Sequence, residues 1–211
     1  MLTGLVATPI VLYTNAVYAS VVALSTVVFI VCVEVLHRHW GLQVPFWSEQ
    51  LQSTRREHET FSWASIGFLL TLLILLWLTP VPIALAASAM LAFGDGFSAL
   101  VGRAIGRHKI WYNPRKSWEG SVAGLVAGLA GAYILIEWYA AETNQDYSTR
   151  LVLMVCLLGS LFAMIGESLP RVEDNVIVPI FAAVPMTTLW MLLGLAPRWG
   201  LLPLKLLAAV W

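Results

Sequence analysis

Long apolar runs separated by short polar connections dominate the hydrophobic pattern of the chain. Six such runs cover roughly residues 14–36, 61–79, 81–101, 120–139, 151–169 and 176–195. A helix of about 20 mainly apolar residues crosses the hydrocarbon core of a bilayer. Backbone polar groups in lipid must be satisfied within the segment. We therefore predict an all-α, polytopic membrane helix bundle with about six transmembrane helices. Pro80 and Pro82 predict a break between the second and third of them.

The composition agrees with a membrane protein and excludes some partners. Of the 211 residues, 59% are hydrophobic and 11% are charged, whereas a soluble domain carries about 25% charged residues. The formal net charge of zero argues against nucleic acid as a partner. The N-terminus lacks the basic leader of a signal peptide, so we expect the first apolar run to remain in the membrane. Residues 1–211 are interpreted as one integral membrane domain.

Basic residues are concentrated in two connections, 37–60 and 103–117. Two predicted crossings separate these connections, so both lie on one side of the membrane, together with the segment around Arg171. By the positive-inside rule this side is cytoplasmic. The sequence thus predicts an active site on the cytoplasmic face, and the short loops favour a prokaryotic plasma membrane.

The first polar motif is GDG at the end of the third apolar run, with Asp95 between Gly94 and Gly96. Ionisable residues at membrane depth are costly and suggest a function. Glycines allow a ligand to approach the backbone closely, and a carboxylate beside them is a suitable Mg²⁺ ligand when substrate phosphates supply the other oxygens. The simpler alternative is a buried aspartate that pairs with an arginine for structural reasons.

The second motif, GRHKIWYNPRKSWEGS, precedes the fourth predicted helix. Asn113-Pro114 predicts an ordered turn. Helix N-termini favour phosphate, and the cations of Arg115 and Lys116 add to that preference. Glu119 is a candidate metal ligand, a partner for an arginine, or only a residue that caps the first turn. Alternatively, these cations serve only to set the orientation of the protein in the membrane.

The third motif is GESLPRVEDNVIVP, with Glu167 at the end of the fifth run and Asp174-Asn175 at the start of the sixth. Asp or Asn at this place is an ordinary N-cap. Capping does not explain why Glu167 and Asp174 both face a basic loop. Carboxylates on several helices beside a Lys/Arg loop predict a site for a metal-bound polyphosphate, and phosphoryl transfer needs mainly positioning and charge neutralisation. We therefore predict a membrane enzyme that acts on a lipid, without a P-loop or the kinase HRD and DFG motifs.

The motifs GDGFSALVGRAIGRHKI, KSWEGSVAG and ES…EDNVIVP resemble the family of CTP-dependent lipid-alcohol kinases. That family comprises dolichol kinase, phytol kinase and the CTP-using diacylglycerol kinase, and it is related to phosphatidate cytidylyltransferase. The resemblance covers about residues 85–180. It implies transfer of the γ-phosphate of CTP to a membrane lipid alcohol, such as a polyprenol, dolichol or phytol, with Mg²⁺ or another divalent metal.

The resemblance and the residue patterns together predict the site residues. The expected catalytic residues are Asp95, Lys116, Glu119, Glu167 and Asp174. The expected nucleotide contacts are Gly94, Gly96, Arg103, Arg115, Lys116, Ser117, Gly120, Ser121 and Asn175. The expected metal ligands are Asp95, Asp174 and Glu167.

Two departures from the family pattern bear on this prediction. The chain has Glu173-Asp174-Asn175 where many relatives read Asp-Asp-Asn, and the family's N-terminal Arg-Lys-x-x-His stretch has no clean equivalent. The long cytidylyltransferase signature is absent, which favours a kinase over a phosphatidate cytidylyltransferase making CDP-diacylglycerol. A non-enzymatic lipid-binding, anion-binding or transport protein is the other alternative, but a transport path requires ionisable residues at several depths. The identity of the alcohol and the oligomeric state stay open.

Overall fold

The computed structural model describes residues 24–29, 31–32, 35, 63–170 and 173–195. The elements in chain order are α1 (Trp63–Leu78), α2 (Val81–Ala89), a π-helical segment (Met90–Asp95), α3 (Gly96–Ile105), β1 (Lys109–Ile110), β2 (Asn113–Ser117), α4 (Trp118–Glu142), α5 (Thr149–Ser168) and α6 (Asp174–Leu192). The described residues between 24 and 35 are also helical. Most of the predicted first crossing and the whole connection 37–60 lie outside the described residues.

Four helices in the described part of the chain are long and apolar enough to cross a membrane. They are Val81–Ile105, Trp118–Glu142, Thr149–Ser168 and Asp174–Leu192. The first of these unites α2, the π segment and α3. Helix α1 is apolar but shorter. The prediction of a mostly helical membrane bundle is confirmed, whereas the count of six crossings is not.

The predicted break between the second and third apolar runs is confirmed. Helix α1 ends at Leu78, and Pro80 directly precedes α2, with Pro82 in its first turn. Proline is tolerated in a first helical turn because the N–H it lacks has no intrahelical partner there. The two runs therefore form separate helices.

A two-stranded antiparallel hairpin between α3 and α4 departs from the all-α prediction. Lys109 pairs with Ser117, and Ile110 pairs with Asn113. The turn is formed by Trp111 and Tyr112. Asn113-Pro114 is thus not the predicted turn but the start of β2, and the Asn113 side chain has a role in docking the hairpin.

Glycines bring the π segment and α3 into close contact with α4. A Cβ added at Gly124 would lie 2.7 Å from the Gly94 carbonyl oxygen and 2.6 Å from Met164 Sδ. These separations are well below ordinary van der Waals contact. The π segment and α4 therefore approach each other this closely only because Gly94 and Gly124 lack a side chain. The glycines of α4 thus form a stripe of small residues that allows close helix packing.

We expect Gly124→Ala to lower the free energy of unfolding by about 1–3 kcal/mol, because the added methyl group overpacks the contact with the π segment. Gly128→Ala is the matched control, since a Cβ there meets no atom closer than 3.6 Å. Thermal unfolding of the purified proteins in one detergent measures the difference. Equal midpoints for the two variants would contradict the packing assignment.

The helix termini determine where the polar residues meet. Helix α3 ends and α4 begins on either side of the hairpin, while α5 ends and α6 begins at Ser168 and Asp174. Helix α5 packs along α6, and α4 packs against α3 and α5. The end of α5, the start of α6 and the hairpin therefore lie together at one end of the bundle.

Candidate active site

The ammonium group of Lys116 lies among three carboxylates from three different membrane-spanning helices. Its Nζ donates to Glu167 Oε1, lies 3.2 Å from Asp174 Oδ2 and lies 3.9 Å from Asp95 Oδ1. We call Asp95, Glu167 and Asp174 the acidic cluster. Four of the five residues predicted to be catalytic are thus brought together, although they are up to 79 positions apart in the sequence.

Glu167 is the buried member of the acidic cluster. Its side chain is 0% exposed, whereas those of Asp95 and Asp174 are 34% and 23% exposed. Ser98 Oγ donates to Glu167 Oε1 at 2.6 Å, so this oxygen accepts from both Ser98 and Lys116. Glu167 Oε2 is buried and has no hydrogen-bond partner within the described part of the chain.

The acidic cluster controls the charge of Lys116. Burial disfavours the charged amine, but the carboxylates, above all Glu167, outweigh burial and hold the pKa of Lys116 above its ordinary value. The ammonium ion is therefore kept at neutral pH and is lost only when the pH rises through that raised value. A fixed positive charge at this position suits the binding of an anion.

Side-chain hydrogen bonds fasten the hairpin to the end of α5. Tyr112 OH and Ser168 Oγ are 2.7 Å apart, and Asn113 Nδ2 donates to the Ser168 carbonyl oxygen at 3.0 Å. Ser168 directly follows Glu167, and Asn113 begins the strand that carries Lys116. These bonds therefore hold the strand in the position from which Lys116 reaches Glu167.

Glu119 makes its contacts with His108 rather than with Lys116. Its carboxylate accepts from the His108 backbone N–H at 3.1 Å and lies 2.6 Å from His108 Nδ1. The His108 carbonyl oxygen in turn accepts from the Trp118 N–H at 3.0 Å. The contacts of Glu119 join the first turn of α4 to the start of the hairpin.

Apart from Lys116, the residues expected to contact nucleotide fall into two groups. Ser117 caps α4, with its Oγ accepting from the Gly120 N–H at 3.2 Å. Gly94 and Gly120 are buried in helix contacts, and a Cβ at Gly120 would lie 2.7 Å from the Ser98 carbonyl oxygen. These three residues thus have packing or capping roles in the structure.

The residues of the second group lie near the same end of the bundle, and each is at least partly exposed or has a polar atom without a partner among the described residues. The side chains of Arg103 and Arg115 are exposed, and Arg103 Nε donates to the Ala99 carbonyl oxygen at 3.0 Å. Ser121 Oγ is buried without a hydrogen-bond partner in the described part of the chain. The remaining members, Gly96 and Asn175, are half-buried.

Sequence reasoning missed Ser98, which contacts the acidic cluster directly. Its position three residues after Asp95 is the available signal, because residues one helical turn apart share a face. Ser168 and Tyr112 gave no comparable signal, since their contact depends on how the hairpin folds back onto α5.

The comparison with known protein families decides the assignment. A model of the cytidylyltransferase family matches residues 1–169. The chain belongs to the cytidylyltransferase family.

Individual curated proteins are also similar to this chain. It is 34% identical over 102 residues to phytol kinase 1, chloroplastic, of Arabidopsis thaliana. It is 29% identical over 178 residues to a probable phytol kinase, chloroplastic, of Triticum aestivum, and 30% identical over 106 residues to farnesol kinase, chloroplastic, of Arabidopsis thaliana. The resemblance drawn from the three motifs is therefore confirmed.

The matches cover only part of these relatives. The three alignments include 47%, 80% and 49% of this chain, but 34%, 58% and 34% of the respective relatives. The chain thus spans about a third to three fifths of the length of the curated relatives it matches. No solved structure matches this chain significantly.

Proposed function

We propose that this protein is a CTP-dependent kinase that transfers the γ-phosphate to a membrane lipid alcohol. The observation that carries the proposal is the Lys116 ammonium held among three carboxylates at one end of an apolar helix bundle. The similarity to a phytol kinase and a farnesol kinase supports an isoprenoid alcohol as the acceptor. Both named alcohols combine a hydroxyl group with an apolar tail that suits a bilayer.

In the proposed reaction the alcohol oxygen forms a bond to the γ-phosphorus of CTP. The bond between the γ-phosphorus and the bridging oxygen of the β-phosphate breaks, and CDP leaves with the electron pair. The hydroxyl proton passes to a carboxylate, Asp95 or Glu167. The Lys116 ammonium, with Arg115 and Arg103 nearby in the sequence, neutralises the charge on the phosphates, which is the main requirement for phosphoryl transfer.

A divalent metal fits part of the acidic cluster. Mg²⁺ needs only one or two protein carboxylates when substrate phosphates supply the remaining oxygens. No group of three or more Asp, Glu, His or Cys side chains is arranged to hold a metal among the residues that the structure describes. The partly exposed carboxylates of Asp95 and Asp174 are the ligands that we assign, whereas Glu167 already has one oxygen occupied by Ser98 and Lys116. When bound, the metal would neutralise phosphate charge.

The remaining site residues enter the proposal with different roles. Arg103, Arg115, Ser121 and Asn175 are proposed as contacts of the nucleotide, with Gly96 beside Asp95. Glu119, Ser117, Gly94 and Gly120 are proposed to shape that site through the contacts described above. We propose that the whole chain forms one membrane domain whose site opens on the cytoplasmic side, as the positive-inside rule suggests. The chloroplastic relatives give no support to a prokaryotic plasma membrane.

Incubation of the purified protein in detergent with Mg²⁺, CTP and a panel of phytol, farnesol, dolichol and diacylglycerol tests the proposal. We expect a monophosphate of one isoprenoid alcohol, detected by mass spectrometry, together with CDP. Phosphatidate belongs in the panel as the substrate of a cytidylyltransferase. Formation of CDP-diacylglycerol from it, without any phosphorylated alcohol, would overturn the proposal.

A further inference from the structure

We propose that Glu167 Oε2 accepts a hydrogen bond from the hydroxyl group of the lipid alcohol, and that Ser98 is the positioning residue for this contact. The inference rests on the proposed function, because it names the carboxylate that receives the acceptor alcohol. It adds Ser98, which lies in the motif GDGFSALVGRAIGRHKI but is not among the predicted site residues, to the residues that determine how the alcohol binds.

The first step is the uneven use of the two Glu167 oxygens. Oε1 accepts from both Ser98 and Lys116, whereas buried Oε2 accepts from no group in the described segments. A carboxylate oxygen has room for two donors, and leaving a buried acceptor unpaired is unfavourable. Because Glu167 is 0% exposed, no donor from bulk solvent reaches Oε2 in this state, and a ligand hydroxyl reaches it only when neighbouring side chains at the end of α5 move aside. A ligand that carries a donor would complete the site.

The second step concerns which ligand can supply a donor. The terminal phosphate of a nucleotide is largely deprotonated at neutral pH and presents acceptor oxygens, which a carboxylate repels. A second cation at Oε2 is disfavoured because the Lys116 ammonium already lies on the same carboxylate. An alcohol hydroxyl carries a donor and no charge. It therefore matches Oε2 better than either the nucleotide or the metal.

The third step is the position of Glu167 relative to the membrane. Glu167 lies in the last turn of the membrane-spanning helix α5. Ile165, two positions earlier and therefore on the opposite side of α5, is 51% exposed, so Glu167 lies on the side of α5 that faces the bundle interior. An alcohol with its tail in the bilayer holds its hydroxyl group near the end of the bundle, at the depth of Glu167, and has to reach Oε2 from that end rather than across the outer surface of α5.

Ser98 and Lys116 fix the carboxylate from two different elements, α3 and β2. Removing the Ser98 hydroxyl leaves a single donor on Oε1, so the carboxylate is free to rotate about its terminal torsion and Oε2 loses its fixed direction. Ser98→Ala is nearly isosteric and preserves the packing of Ser98 against Gly120 and Gly124. The carboxylates of Asp95 and Asp174 do not need a second side chain to satisfy their oxygens, because both are partly exposed to water.

Binding without nucleotide separates this inference from catalysis. The full-length protein in detergent is equilibrated with radiolabelled phytol, which is competed by phytol or by phytyl methyl ether, an ether that lacks the donor. We expect the wild type to prefer phytol by about tenfold or more, as for a hydrogen bond to a charged acceptor. Ser98→Ala and Glu167→Gln should lose most of that preference. In turnover assays Ser98→Ala should raise KM for the alcohol and leave KM for CTP unchanged.

Two variants serve as controls. Ser160→Ala removes a buried hydroxyl of α5 that has no hydrogen-bond partner in the described part of the chain, so the preference should be kept. Asp95→Asn should also keep it. Equal binding of alcohol and ether by the wild type, an unchanged preference in Ser98→Ala, or loss of the preference in Asp95→Asn alone would each overturn the inference. A wild type that prefers the alcohol but never phosphorylates it would instead overturn the proposed function and leave the binding inference standing.

Discussion

Lys116→Met is expected to abolish phosphoryl transfer and to destabilise the protein by about 3–5 kcal/mol, the cost typical of removing one partner from a buried ion pair. The variant leaves Glu167, which is 0% exposed, without its cationic partner and leaves the acidic cluster without neutralisation. The raised pKa of Lys116 means that the stabilising charge is fully present at neutral pH. Activity with CTP and thermal unfolding in detergent measure the two effects.

Lys109→Met is the matched control for this experiment. Lys109 lies in the same hairpin, and its side chain is exposed and makes no ion pair with any described residue. We expect it to change the unfolding midpoint only slightly, as is usual for exposed charges. A Lys116→Met protein as stable and active as Lys109→Met would refute the claim that the Lys116 ammonium group is needed for phosphoryl transfer and for stability.

Asp95→Asn is expected to lower turnover by at least about 10²–10³-fold, the scale of losing one electrostatic contact in an active site. The exchange preserves the shape of the side chain and removes the charge that we assign to the metal and phosphate site. Asp95 is partly exposed, and it lies 3.9 Å from the Lys116 ammonium, so we expect the fold to persist. Steady-state turnover with saturating CTP and alcohol measures the effect, and the unfolding midpoint reports on the fold.

Asp146→Asn, an exposed acid in the connection between α4 and α5, provides the comparison for Asp95→Asn. It should leave turnover unchanged. Near-normal turnover by a folded Asp95→Asn protein would remove Asp95 from the catalytic site.

The membrane-spanning helices could be predicted from the sequence because apolar length and proline breaks are local signals. The predicted run 151–169 corresponds to Thr149–Ser168, and the run 120–139 to Trp118–Glu142. The acidic cluster could also be anticipated, since the first and second motifs lie at the same end of the third apolar run and two crossings separate the second motif from the third. The distances within the cluster could not, because they depend on how the hairpin folds.

Three features have no local signal in the sequence. The π-helical segment that ends at Asp95 changes the helical register just before the site, and such segments often mark functional sites. The strand that carries Lys116 is held by Tyr112 and Asn113 on Ser168, a contact between residues more than 50 positions apart. The contact of Glu119 with His108 likewise depends on how the hairpin returns to α4, whereas its position in the first helical turn is evident from the sequence.

The most direct test of the central claim is to follow the two ends of the CTP phosphate chain. The purified protein is incubated with Mg²⁺, a mixture of phytol and phosphatidate, and CTP labelled at either the α- or the γ-phosphate. The proposed kinase transfers γ-label to phytol and releases CDP, and it leaves no α-label in any lipid. Label from the α-phosphate in the lipid, with release of pyrophosphate, would contradict the account and make the protein a cytidylyltransferase.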